Sequence, residues 1–222
     1  MAYTCSDIIS QITARLKDAS ISNGTLLQFI NDANREVCNR YQWDFLQETT
    51  TFDTVASTNQ YALSSIASDL QKLVSLRITS PTDSEQWLTP LTAEQFDRYN
   101  ATPANDSEGV PTYYYLWENV VYVYPTPDDA YTISVRYIKT PTTLESADQP
   151  DIPEEFQEVV MLGALYRAMQ TNDNFDQSVV IKSQFDTQVV DMVKRLMPFP
   201  SGAPKVMPTS SPKRRLTSGS IL

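Results

Sequence analysis

The sequence offers few side chains for acid–base, nucleophilic or metal chemistry. It has no histidine among its 222 residues, which excludes a histidine base, a histidine metal ligand and a Ser-His-Asp triad. Cys5 and Cys38 cannot form a four-ligand zinc site without histidine. Both cysteines fall on predicted helices, and we expect them to be buried free thiols, as in a protein made in a reducing cytoplasm.

Adjacent carboxylates occur at Asp128-Asp129 and at Glu154-Glu155. Glycoside hydrolysis needs two carboxyl groups that face one sugar bond, one of them with a raised pKa. Neighbouring residues do not face each other on a helix, and Asp128-Asp129 lies in a predicted proline-rich turn. The sequence also lacks a P-loop, a Gly-x-Gly-x-x-Gly motif and a Gly-x-Ser-x-Gly motif. We therefore expect no enzymatic activity, no cofactor and no metal.

Charge is distributed unevenly along the chain. Four of the 17 basic residues and none of the 27 acidic residues lie in 198–222, so residues 1–197 carry a formal charge of −14. An acidic body of this kind repels phosphate backbones and predicts no general affinity for nucleic acid. An acidic body could nevertheless line a channel through which DNA passes without binding to the wall.

The segment 198–222 contains five prolines and four basic residues. Composition alone would keep it disordered, and its three consecutive cations would have only modest phosphate affinity as a nucleic-acid arm. A solvated tail gains nothing from a terminal Ile-Leu pair, whereas a peptide with apolar anchors and basic charges can order along a partner. The predicted docking residues are Lys205, Lys213, Arg214, Arg215, Leu216, Ile221 and Leu222.

Hydrophobic periodicity predicts four main helices. The first covers 7–18 after a Ser6 cap, and Asn23-Gly24 is expected to separate it from a second helix capped by Thr25. The third begins with Pro153 at its first position. The fourth covers about 175–196.

Between the second and third helices the pattern changes to β. Strands are predicted from Gln47, at Gln60–Leu63, Lys72–Thr79 and Tyr131–Ile138, and on both sides of a tight turn at Glu118-Asn119. The last three strands are predicted to form a meander. One short helix is expected over 92–99, capped by Thr92.

These elements predict an α+β fold, in which a helical bundle of about four main helices carries an inserted antiparallel β-rich lobe and an extended C-terminal tail. The bundle comprises 1–46 and 146–197, the lobe 47–145 and the tail 198–222. The longest apolar run, Val159–Leu165, has seven residues, far below the roughly 20 that span a bilayer. No membrane partner is therefore expected.

Two aromatic groups are candidates for packing or for an interface. Trp43 and Phe45 are predicted to fill the junction between bundle and lobe, with ligand stacking as the minor alternative. Alternation places Tyr113, Tyr115 and Trp117 on one face of a strand. That face suits burial, a subunit interface or single-stranded nucleic acid, although the negative charge of the surrounding segment disfavours nucleic acid.

The order of these segments resembles that of the head-to-tail connector (adaptor) proteins of tailed phages, especially short-tailed phages. The matching segments lie within residues 5–196 and read LLQFINDANREVCNRYQWDFL, QYALSS, KLVSLRI and VPTYYYLWENVVYVYPTPDDAYTISVRYIKTP, followed by a Pro-Glu-Glu-x-Phe helix start. The resemblance implies a homo-oligomeric ring beneath the portal protein of a filled capsid, with twelve copies as the expected number. It also implies that a C-terminal extension embraces the portal, which here would be 198–222.

The same resemblance implies a virion protein at the head–tail interface, made in the host cytoplasm. It would support the tail (nozzle) protein and help to retain packaged DNA, which would pass through the bore without sequence-specific binding. The alternatives within a virion are a tail nozzle subunit and a head-completion stopper. The alternative from another class is a carbohydrate-binding β module, because aromatic β faces also stack sugars.

Overall fold

The computed structural model describes residues 3–16, 21–99 and 108–197, which form a mixed α+β fold. These residues contain six helices and two four-stranded sheets. The helices are α1 (Cys5–Leu16), α2 (Asn23–Arg40), α3 (Leu63–Ile66), α4 (Ala93–Tyr99), α5 (Gln157–Thr171) and α6 (Phe175–Leu196). The strands are β1 (Gln47–Asp53), β2 (Gln60–Ala62), β3 (Leu70–Ser80), β4 (Gln86–Trp87), β5 (Thr89–Pro90), β6 (Tyr113–Trp117), β7 (Val120–Tyr124) and β8 (Thr132–Lys139). The predicted tail 198–222 lies outside the described residues.

Helix α5 is the central element of the helical core. Eleven of its 15 residues are buried, as expected for a helix that is apolar on nearly all sides. It contacts α1, α2 and α6. The closest approach is at Gly163, where an added Cβ atom would lie 2.7 Å from the Ala33 Cβ on α2 and 3.0 Å from the Phe185 ring on α6. The absence of a side chain at Gly163 therefore lets three helices meet.

The first two helices begin earlier than predicted. Helix α1 starts at Cys5 because Thr4 and Asp7 exchange side-chain-to-backbone hydrogen bonds of 2.9 and 3.3 Å, so Thr4 and not Ser6 supplies the cap. Helix α2 is capped by Ser22 and not by Thr25, whose N–H donates to the Ser22 hydroxyl at 3.2 Å. The predicted break at Asn23-Gly24 is the first turn of α2, where the backbone N–H groups have no helical partner in any case.

The strands pair differently from the predicted three-stranded meander. The first sheet has the order β1-β8-β3-β4, and the second has the order β2-β7-β6-β5. The β6–β7 hairpin is confirmed, with Glu118 and Asn119 at φ 48° and 61° in its turn. However, β8 leaves the hairpin and pairs with β1 and β3. Pro125 and Pro127 follow β7 and have no N–H to donate, so the ladder ends there and the chain crosses to the other sheet.

The sheets share a second hydrophobic core, separate from the helical one. It contains buried side chains from both sheets, which is the arrangement of two sheets packed face to face. One pairing, β5 with β6, is parallel, so the lobe is not wholly antiparallel as predicted. The main members of this core are Leu76, Ile78, Tyr114, Val121, Val123, Ile133, Val135 and Tyr137.

The polar face of α2 also packs against another part of the fold. The Asn31 side-chain amide donates to the Leu144 carbonyl at 3.0 Å and accepts from the Leu144 N–H at 2.8 Å. Asn34, which is buried, donates to Asp151 at 2.9 Å. Both asparagines therefore hold the segment that connects β8 to α5 against the bundle.

Both cysteines are free and buried, as predicted. Burial, with a smaller contribution from Asp148, raises the pKa of the Cys5 thiol to about 11. Burial together with the charge of Asp151 raises the pKa of the Cys38 thiol to about 12. In the described part of the chain, no helix combines the length and apolar character needed to cross a membrane.

Candidate assembly surfaces

The paired carboxylates have structural partners in the fold. Asp128 accepts a hydrogen bond from the Tyr131 hydroxyl at 2.6 Å, and Asp129 accepts one from the Ala130 N–H at 2.7 Å. Glu154 and Glu155 lie in a 3₁₀ turn, Glu154–Phe156, which precedes α5, so Pro153 caps this turn and is not the first residue of the helix as predicted. Within residues 3–16, 21–99 and 108–197, no cluster of acidic, cysteine or histidine side chains could hold a metal ion.

A partly buried ion network joins three helices. The Glu36 carboxylate on α2 accepts hydrogen bonds from Arg40 and from Arg167 on α5, and Arg40 also donates to Asp186 on α6 at 2.8 Å. Burial raises the pKa of Glu36, but the hydrogen bonds from the two arginines outweigh this effect and leave the pKa below its usual value. The network stabilises the mutual orientation of α2, α5 and α6.

Because the folded-state pKa of Glu36 is lowered, its ionised form stabilises the fold above the unfolded-state pKa, and this contribution is lost as pH falls through the folded value. Glu36→Gln should lower the free energy of unfolding at pH 7 by about 1 kcal/mol after allowance for solvent screening. The difference from wild type should shrink between about pH 5 and pH 3. Urea unfolding across this range measures it, with Glu48→Gln as the control, since Glu48 makes only a 3.8 Å pair with Lys139.

The aromatic face of the β6–β7 hairpin is covered. The Tyr115 and Tyr122 rings stack at 4.5 Å, and Phe96 of α4 lies 4.1 Å from the Tyr115 ring. Helix α4 is capped as predicted by Thr92, which exchanges hydrogen bonds with Gln95. Since α4 occupies this face, Tyr115 is not free to stack a sugar or a base.

The five aromatic candidate residues fall into two separate groups. Trp43 is completely buried in the helical core, where its ring N–H donates to the Val37 carbonyl at 2.8 Å and its ring stacks on Phe45 at 5.6 Å. Tyr113 and Trp117 lie on β6 in the lobe, and Trp117, at the end of the hairpin, is 54% exposed. Trp43 therefore cannot stack a ligand, and Trp117 is the member of the set with a largely open ring.

Helix α6 carries an exposed apolar surface that sequence periodicity did not predict. Phe175, Val179 and Val190 lie on the side of α6 next to its buried face, and Val179 is 67% exposed. We call these three residues the α6 strip. The spacing of four and then eleven residues keeps them on one side of a helix. Lys182 and Asp186, which lie between them, pair with each other at 3.2 Å, so the α6 strip has little unpaired charge.

A second exposed surface lies on the outer face of the first sheet. Trp87 of β4 is 51% exposed, and the guanidinium carbons of Arg77 and Arg136 lie 5.6 and 5.2 Å from its ring centroid. Arg77 also pairs with Glu85 at 3.0 Å. We call Trp87 with the two arginines the sheet patch. No periodic pattern in the sequence indicates it, because its members come from three strands.

Exposed apolar side chains on a rigid helix and an exposed tryptophan between arginines are typical of a subunit that binds other proteins. The family model of the SU10 adaptor protein matches residues 3–203. The chain therefore belongs to the SU10 adaptor protein family, and the predicted relationship to phage head–tail adaptors is confirmed. Comparison with curated proteins gave no match.

Membership in this family implies a structural, non-enzymatic protein of the phage virion. It also implies contact with portal and tail proteins. The family match covers all the described residues and ends just inside the predicted tail, so the predicted docking residues from Lys205 onwards lie beyond it.

Proposed function

We propose that this protein is the head-to-tail adaptor of its phage, and that its copies form a ring beneath the portal of the filled capsid. The observation that carries this proposal is the α6 strip, an apolar surface on a helix that leads directly into the predicted docking tail. In this proposal both the α6 strip and the tail 198–222 bind the portal protein. The ring then offers its other end to the tail nozzle.

The energetics favour burial of the α6 strip in an assembly. Covering a half-exposed valine or phenylalanine contributes about 1 kcal/mol or more, and the three side chains of the α6 strip would add several kcal/mol for each copy. Because Lys182 pairs with Asp186, a partner can cover this surface without leaving an unpaired charge.

The tail extends this contact. Twenty-five residues could span roughly 80 Å in extended form, which is far enough to reach along a neighbouring protein. We propose that Lys205, Lys213, Arg214 and Arg215 bind acidic groups of the portal. The apolar residues Leu216, Ile221 and Leu222 would then anchor the peptide.

The acidic body supports a role in DNA retention and ejection. Residues 1–197 carry a formal charge of −14, and we propose that part of this acidic surface faces the bore of the ring, where it would not bind phosphate. DNA would pass through such a bore without sequence-specific binding. Retention would then come from closing the channel and not from affinity for DNA.

The proposal is tested with tagged protein in purified virions. Gold labelling should place the tag at the head–tail junction. A label at the far end of the tail would instead identify a nozzle subunit, and absence of the chain from virions would contradict a structural role. Val179→Asp combined with Val190→Asp should leave the fold intact, since exposed substitutions cost little, but should reduce the copies per virion at least tenfold.

The matched control for the α6 variant is Val55→Asp. Val55 is 60% exposed in the loop after β1, so this variant also places a carboxylate at an exposed valine, but in the β lobe and away from α6. It should enter virions as wild type does. Equal incorporation of the α6 variant and the control would show that the α6 strip does not contact another virion protein.

A further inference from the structure

We propose that the sheet patch is the surface on which a neighbouring copy of this chain docks through its carboxylates. The inference rests on the proposed ring, and it identifies one side of the contact between adjacent subunits. Four observations support it: the strand register, the environment of Trp87, the charge of the body, and the Arg136 guanidinium, which has no ion pair among the described residues.

The strand register places short polar side chains around the sheet patch. Thr51, Ser134, Arg77 and Trp87 are directly opposite one another across the four strands of the first sheet. The next row contains Arg136, with Thr49 and Ser75 opposite it on the neighbouring strands. Because the serines and threonines are short, the long Arg136 side chain can cross the sheet and reach the indole of Trp87 on β4.

The arrangement around Trp87 favours an anionic partner over a flat ligand. Both guanidinium groups lie over the indole at cation–π distance. A nucleic-acid base or a sugar ring would have to displace them before it could stack. Arg77 is paired with Glu85, so the exposed part of the patch presents the charge of Arg136, which has no ion pair among the described residues, on an aromatic support. A guanidinium in this setting suits a carboxylate.

Arg136 has unused binding capacity. Its guanidinium makes no hydrogen bond or ion pair with another residue of the described chain, whereas Arg77 pairs with Glu85. The Nε atom of Arg77 is buried and has no hydrogen-bond partner among the described residues. Beside Arg136 lies a groove of about 250 Å³ that includes the exposed Val74. The groove is lined mainly by polar side chains, among them Glu48. Tryptophan and arginine are among the residue types that contribute most to binding energy in protein interfaces.

The charge of the body identifies a second copy as the partner. Residues 1–197 contain 27 acidic and 13 basic groups, so adjacent copies repel unless a positive surface on one meets carboxylates on the other. A ring is built from contacts between two different surfaces of the same subunit. The sheet patch supplies the positive surface, and the surrounding excess of Asp and Glu supplies the acidic one.

The test uses Arg136→Lys in purified virions. Lysine keeps the positive charge and adds an amine that a carbodiimide joins to a carboxylate in direct contact. A cross-linked band at twice the 25.1 kDa chain mass should appear with this variant. Peptide mass spectrometry should find the introduced lysine joined to Asp or Glu of the same protein.

Arg98→Lys, on the exposed face of α4, is the matched control and should give at least tenfold less of this band. Linkage of the introduced amine to the portal, to a tail protein or to no carboxylate of a second copy would overturn the assignment of the sheet patch. Cross-linking of DNA to the patch would overturn it as well. Failure of the proposed function is distinguished from these results by the gold label on the wild-type chain, which would then be missing from virions or lie away from the head–tail junction.

Discussion

Replacing Gly163 with valine is expected to disrupt the helical core and to give the largest loss of stability of any single substitution considered. A Cβ atom at this position would lie 2.7 Å from the Ala33 Cβ and 3.0 Å from the Phe185 ring. Real side chains do not approach a Cβ atom as closely as 2.7 Å, and both neighbours, Ala33 and Phe185, are completely buried. Overpacking by one methyl group costs about 1–3 kcal/mol, and valine adds two more carbon atoms.

The expected result is a loss of several kcal/mol for Gly163→Val, against a typical total stability of about 5–15 kcal/mol. Gly163→Ala should cost less, because the gain in helix propensity of roughly 1 kcal/mol offsets part of the strain. Thermal and urea unfolding measure both variants. The cycle that adds Ala33→Gly to Gly163→Ala isolates the contact, since Ala33→Gly removes the nearest atom.

Gly24→Ala is the matched control. The nearest atom to a Cβ at Gly24 is the Ser22 hydroxyl at 3.8 Å, which is an ordinary contact. This variant should be as stable as wild type or slightly more stable. If Gly163→Ala behaved like Gly24→Ala, the close packing of α2, α5 and α6 would be wrong.

The elements defined by local signals could be predicted from the sequence. Helix α6 begins at Phe175 and ends at Leu196 as expected, because Asn172–Asn174 interrupts the pattern and prolines follow. The hairpin turn at Glu118-Asn119 follows from the two aromatic runs on either side of it, and both residues adopt the left-handed conformation. In these cases one continuous stretch of the sequence contains all the residues that determine where the element begins and ends.

Features that depend on distant residues could not be predicted. The pairing of β8 with β1 joins residues that are distant in the sequence, such as Thr51 with Ser134. The alternation of β8 is equally compatible with a meander. Asn31 and Asn34 look like solvent-facing polar residues in a helical pattern. Their hydrogen bonds to Leu144 and Asp151 depend on a segment whose path the sequence does not specify.

The same contrast between local and long-range information applies to the candidate surfaces. The buried side of α6, with Phe185 and Val189, follows from its periodicity. The α6 strip was missed because a second apolar side is not needed to explain a helix packed on one core. The sheet patch becomes visible only when β3, β4 and β8 are brought together by long-range pairing.

Removal of residues 205–222 is expected to have the largest effect on function. The deletion leaves the described residues and the whole family match, which ends at residue 203. The truncated protein should therefore fold with unchanged thermal stability. It loses all four basic residues of the tail and the apolar anchors Leu216, Ile221 and Leu222.

A second variant tests whether binding needs the terminal apolar residues of the tail and not only its length. Ile221→Asp with Leu222→Asp keeps the full reach of the tail but removes its terminal apolar anchor, and binding to portal-containing heads should fall by at least tenfold. Ser218→Asp with Ser220→Asp adds the same charge without removing an apolar side chain and should have a much smaller effect. Equal losses for the two pairs would attribute the result to added charge alone.

Binding of the purified 1–204 protein to filled heads that contain their portal, compared with the full chain, tests the central claim most directly. A folded 1–204 protein that no longer attaches, beside a full-length protein that does, is the predicted result. Attachment of 1–204 at the same level as the full chain would show that the tail does not hold this adaptor on the portal.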